Sequence, residues 1–187
     1  MELEGAIARL VGAGGTWVLW LLAGLSVASL TIVLERLVFF SVHGKRLEAT
    51  IANAGEQASC PAEAEVLMAA AAQTQRLRCE RNLAFLGTLG NNAPFVGLLG
   101  TVIGIIGAFR QLDVSGGQLT AGLMAEIGEA LATTALGLLV ALPAVAAYNG
   151  FQRAIQVRLN RGDARGREVI AKLHARAHAL SLPEAAS

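Results

Sequence analysis

From Glu126 to Tyr148 the chain reads EIGEALATTALGLLVALPAVAAY, a run apolar enough to cross a bilayer. It nevertheless begins with two carboxylates three residues apart and carries a Thr-Thr pair one turn further in. Ala130 to Gln152 holds 23 residues without a charge, which at about 1.5 Å per residue spans the roughly 30 Å hydrocarbon core. A charged acid in such a segment is unfavourable by about 2.5–3.5 kcal/mol at mid-membrane, so it is expected to face protein or a water-filled path.

At about 100° per residue, Glu126, Glu129 and Thr133 share one sector of the helix and form a polar stripe. A second stripe of small residues, Ala130, Thr134, Gly137, Ala141 and Ala144, lies beside it. Small residues at that spacing let another helix approach closely in lipid, so Thr134 belongs to the packing stripe as much as to the polar one. Pro143 lies deep in the segment; membrane helices accommodate it as a kink, because neighbours re-satisfy the freed carbonyl.

Two further runs are of the same kind. Trp17 to Leu34 is uncharged, extended by Leu37 to Phe40, with tryptophans at one end and phenylalanines at the other, as suits the two membrane interfaces. Glu35 and Arg36 interrupt it, read as an interfacial anchor or as an ion pair between subunits. Asn82 to Phe109 is also uncharged and exceeds one crossing, so its helix is expected to enter the bilayer near Asn91, Asn92 and Pro94. Gly97, Gly100, Gly104 and Gly107 fall on one face there. Glycine lowers helix stability by roughly 1 kcal/mol each in water, and a close backbone contact is the expected compensation. Thr101 lies beside that stripe. A phosphate-loop reading of GLLGTVIGIIG fails, since no Lys follows and the segment is too apolar.

Composition agrees with a membrane protein. Of 187 residues 16% are charged and 54% hydrophobic, against about 25% charged in soluble domains, and mean hydropathy is +0.53. A net charge of +1 argues against a nucleic-acid partner. Cys60 and Cys79 lack metal-type spacing and read as ordinary reduced thiols. No nucleophile–base arrangement or metal cluster is evident, so no enzyme, cofactor or metal site is expected. The N-terminus, with Glu2 and Glu4, does not read as a removable signal peptide.

The polar section at 41–81 carries 5 basic residues and the tail after Gln152 carries 7, against 1 in the lead and 1 in the loop at Arg110. The positive-inside rule then places the section and tail in the cytoplasm. The expected fold is all-α and polytopic, with three transmembrane helices, N-out and C-in, in one domain over 1–187. The segments are a first crossing at about 16–40, a cytoplasmic helical section at 41–82 with Pro61 opening its second helix, crossings at about 91–109 and 126–149, and a cytoplasmic tail at 150–187.

APFVGLLGTVIGIIGAF (93–109) followed by EIGEALATTALGLLVALPAVAAYN (126–149) closely resembles the two signature membrane helices of the MotA/TolQ/ExbB proton channel family. The three-crossing arrangement looks like the TolQ/ExbB branch. The resemblance implies a pentameric assembly in the bacterial inner membrane around a pore. That pore would hold the single membrane helices of a dimeric ExbD- or TolR-like partner, driven by the proton motive force and acting on a TonB- or TolA-like periplasm-spanning protein. It also implies that Glu129 stands at the family's glutamate, Thr134 at its channel threonine and Thr101 at the threonine of the preceding helix, with Pro94 and Pro143 at family prolines. Glu126 and Thr133 take no role from it. Thr133 enters the expected ion path through the polar stripe, and Glu126 reads as charge stabilisation of a helix N-terminus. Threonine hydroxyls donate and accept, so they suit protons and equally Na⁺. A non-conducting helical membrane scaffold is the alternative reading, and membrane lipid is a partner in either.

Overall fold

The computed structural model describes residues 15–114, 118 and 120–181, whose regular structure is entirely α-helical. Four helices follow in chain order: α1 Thr16–Glu56, α2 Pro61–Glu80, α3 Leu83–Val114 and α4 Ala121–Ser181. Helices α1, α3 and α4 are each long and apolar enough to cross a membrane, over Thr16–Gly44, Leu83–Val114 and Ala121–Arg176. The lead at 1–14 and the Gly-Gly turn at 116–117 lie outside the described residues.

Contacts divide the chain into two units, Met1–Val33 with Ala84–Tyr148, and Leu34–Leu83 with Asn149–Ser187. In the first, large apolar side chains point outward: Trp20, Phe95, Phe109, Leu139 and Leu142 are all exposed. The buried positions include many alanines, Ala93, Ala108, Ala130, Ala141 and Ala144, beside larger residues such as Leu22, Leu86 and Ile103. Exposed apolar bulk suits a lipid-facing surface, and the buried alanines allow the close helix packing that associates helices in lipid.

The second unit has a larger-residue core of Phe40, Leu47, Ile51, Met68, Phe151, Ile155 and Leu159. Phe40 stacks on Phe151 with ring centroids 5.7 Å apart. Helix α2 starts with Pro in its first turn, where the backbone N–H of Ser59 donates to Glu63 Oε2 at 2.8 Å. It ends at Glu80, and Asn82 adopts φ 65°, the left-handed geometry in which asparagine terminates helices.

Glu35–Arg36 is not simply an interfacial anchor. Arg36 is 2% exposed and its Nη1 donates to the carbonyls of Arg78 and Cys79, each at 3.4 Å. Glu35 Oε1 accepts from Arg36 Nη2 at 3.1 Å, and Glu35 Oε2 accepts from Asn82 at 3.3 Å. The last turn of α2 leaves carbonyls without intrahelical donors and carries partial negative charge, which a cation answers. Beside it Cys79 is fully buried. Burial pushes its thiol above the ordinary range, more strongly than Arg36 and Arg158 pull it down.

Candidate functional site

Within the first unit, α3 and α4 run antiparallel in a fixed register. A Cβ added at Gly87 would meet the Tyr148 ring, at Gly90 Val145, at Gly97 the Thr133 carbonyl and Thr134 Cα, at Gly100 Thr133, at Gly104 Ala130 and at Gly107 the Glu126 carboxylate. At Gly97 the close atoms all belong to the opposing backbone, and a Cβ there would lie 2.8 Å from Thr133 O and 3.2 Å from Gly137 Cα. Backbones this close exclude any side chain, which explains the glycine stripe on α3. Ala141 is buried four residues beyond Gly137 on α4, and both helices run on through Pro94 and Pro143.

Close approach brings three hydroxyls together. Thr101 Oγ1 and Thr134 Oγ1 are hydrogen-bonded across the seam. Gly97 O lies 3.2 Å from Thr101 Oγ1, 3.1 Å from Thr133 Oγ1 and 3.2 Å from Thr134 Oγ1. Ala130 O lies 3.3 Å from Thr101 Oγ1 and 2.6 Å from Thr133 Oγ1. A carbonyl has two lone pairs, and in a helix one already takes the helix's own N–H. Three hydroxyls therefore compete for Gly97 O, and each has a second acceptor nearby. Thr31, Thr50, Thr74 and Thr88 instead donate to the carbonyl four residues back on their own helix. The 101/133/134 cluster thus has alternative proton arrangements that an ordinary back-bonded threonine lacks.

One turn towards the start of α4, Glu126 and Glu129 line a recess of about 260 Å³ with Thr16, Gly104, Gln111 and Ala130. Glu126 lies in the space left by the missing side chain of Gly107. Glu126 Oε2 and Glu129 Oε1 are buried and have no hydrogen-bond partner among the described residues, which leaves each with an acceptor for an incoming donor. Ala130 links the two features, since it lines the recess while its carbonyl serves the hydroxyl cluster. The result is a run of polar oxygens along an otherwise apolar seam.

The structure therefore gathers Thr101, Thr133 and Thr134 at one place and Glu126 with Glu129 at the next. Thr133, set on the polar stripe by the helical wheel, is 0% exposed and lies inside the helix–helix contact, because Gly97 and Gly100 leave room for its hydroxyl. Sequence reasoning missed Thr16 and Gln111, which come from other segments and carry no local signal. It also missed Gly87 and Gly90, whose three-residue spacing did continue the glycine stripe. Among the described residues no three His, Cys, Asp or Glu side chains gather as a metal would require.

Three apolar helices, a glycine-tight pair between them and polar oxygens on that seam define a multi-pass membrane protein with a hydrophilic element inside its helix bundle. Residues 41–163 match the model of the MotA/TolQ/ExbB proton channel family, and the chain belongs to that family. It is 36% identical over 113 residues to the biopolymer transport protein ExbB of Xanthomonas campestris pv. campestris, covering 60% of this chain and 45% of that protein. To the Tol-Pal system protein TolQ of Pseudomonas aeruginosa it is 39% identical over 111 residues, 59% of this chain and 48% of that one. To the ExbB of Helicobacter pylori it is 47% identical over 77 residues, 41% and 53% of the two chains. The chain thus spans about half the length of the curated relatives it matches.

Proposed function

We propose that this chain is the ion-conducting subunit of an inner-membrane complex that couples the proton motive force to mechanical work. The observation that carries the reading is the adjacency of Glu129 to a hydroxyl cluster with exchangeable donors, on a seam otherwise lined by glycine and alanine. In this reading the chain crosses the membrane three times, N-out and C-in, and assembles as a pentamer around a central pore. A dimeric ExbD- or TolR-like protein places its membrane helices in that pore. It transmits force across the periplasm to a TonB- or TolA-like protein.

The ion is a proton, with Na⁺ the other cation these oxygens suit. One charge crossing 100 mV releases about 2.3 kcal/mol, comparable with the cost of holding one charged acid at mid-membrane. An acid on the partner that is alternately neutral and charged then needs only modest stabilisation as it passes. Thr101 and Thr134 supply donors or acceptors as required, and Glu129 supplies a fixed acceptor at the outer end of the path.

The test is Glu129→Gln, which keeps the shape and removes the ionisable group. The conducting reading predicts a complex that assembles with its partner and does no work. A non-conducting scaffold predicts a complex that assembles and works as before.

A further inference from the structure

The second unit contains a basic recess that ion conduction does not use. Glu48, Gly150, Arg153, Val157, Arg158 and Arg161 line it, and its volume is about 500 Å³, within the range of sites that take small molecules. Three arginines and one glutamate thus line it. Glu48, 8% exposed, is engaged with Arg161 at 3.9 Å and with Arg165 at 3.4 Å. Among the described residues Arg153 and Arg158 have no carboxylate within ion-pairing distance.

Arg158 is held in place rather than loosely solvated. Its guanidinium sits over the Phe40 ring, 5.3 Å from the centroid, and Phe40 is itself backed by Phe151. The guanidinium also fills the space of the absent side chain at Gly44, where a Cβ would overlap it. A fixed guanidinium offers a planar pair of donors that matches a phosphate, with little ordering left to do on binding.

Depth selects the anion. Gly150 still belongs to the uncharged run of α4, and Arg153 is the first charge after it. The recess therefore begins where the apolar span ends, on the side that the basic residues assign to the cytoplasm. Basic pockets at that level bind the headgroups of anionic lipids.

We propose that this recess binds the phosphodiester headgroup of an anionic phospholipid from the cytoplasmic leaflet, through Arg153, Arg158 and Arg161. The lipid would tie the start of the α4 tail to α1 at the membrane surface.

The test uses the full chain, purified and delipidated in a non-ionic detergent, with binding read by native mass spectrometry. The probes are phosphatidylglycerol, phosphatidylcholine of the same acyl chains, and glycerol phosphate. Phosphatidylglycerol is expected to bind at least tenfold more tightly than phosphatidylcholine. The double variant R153Q/R161Q, at two exposed positions outside the aromatic stack, is expected to lose most of that preference while its helicity is unchanged. R176Q, further along the tail, is expected to keep it. Equal binding of the two lipids, or a preference that survives R153Q/R161Q, overturns the proposal. So does glycerol phosphate binding as tightly as the intact lipid, which would assign the recess to a soluble anion. Displacement of the lipid by an acidic peptide at micromolar concentration would assign it to a protein segment instead. None of these readouts depends on ion conduction, so the proposal stands or falls apart from the function of the threonine and glutamate cluster.

Discussion

The hydroxyls of Thr101 on α3 and Thr134 on α4, 33 residues apart in sequence, are hydrogen-bonded to each other over a backbone contact that only glycine permits. Their neighbours Gly97 O and Ala130 O give each proton more than one place to go. A hydrogen bond built only for packing would not need that redundancy.

Thr101→Ala and Thr134→Val should each slow energy transduction by about tenfold, equivalent to about 1.4 kcal/mol in a barrier, while the assembled complex is recovered in normal amount. Because the two hydroxyls act as one unit, the double variant should be little worse than either single variant, as interacting residues are not additive. A motility, uptake or envelope-integrity assay of the host, run beside affinity recovery of the complex, reads both quantities. Full activity in both single variants would remove the pair from the ion path.

The glycines separate into those that hold the seam and those that do not. Gly97→Ala places a Cβ 2.8 Å from a backbone carbonyl, which cannot move aside, and should destabilise the chain by about 1–3 kcal/mol. Gly24 and Gly128 have nothing within 4 Å of such a Cβ. Alanine at either should be neutral or stabilising within this subunit by up to about 1 kcal/mol. Thermal unfolding in one detergent ranks the three, and equal effects at Gly97 and Gly128 would contradict the register.

Arg36 should hold the end of α2. Arg36→Leu leaves the Arg78 and Cys79 carbonyls without their donor, at a cost of about 1–3 kcal/mol. Hydrogen exchange should accelerate in the last turn of α2. Cys79 gives a second readout, since it is buried where Cys60 is exposed. A maleimide should modify Cys60 readily and Cys79 only slowly, and Arg36→Leu should narrow the gap. Since the folded Cys79 thiol holds its proton above the ordinary range, its stabilisation is present below the unfolded thiol's pKa and is lost as pH climbs through the folded one. Unfolding measured from neutral to alkaline pH should show that loss in the parent chain and a smaller one in Cys79→Ala.

Much of the first unit was legible because its signals are local and periodic. Uncharged runs mark three apolar helices, and Gly97, Gly100, Gly104 and Gly107 mark the face on which α3 meets a partner. The wheel could not say which residue of α4 each glycine would meet, so Thr133 stood on a polar stripe although the contact buries it. What decides its place is the register between two helices, which depends on both faces at once. Arg36 and Arg158 were illegible for a related reason. Each answers a group far away in sequence, a helix end in one case and an aromatic ring with a vacant Cβ position in the other, and nothing beside either arginine announces that partner.

The central claim is that ions move past Glu129, and the direct measurement is ion flux. The complex with its single-helix partner, reconstituted in liposomes with an internal pH dye, is given an imposed membrane potential. Acidification of the lumen is expected with the parent chain and is expected to fall to the level of empty liposomes with Glu129→Gln, the amount of reconstituted complex being equal. Proton flux that is unchanged by Glu129→Gln would contradict the account.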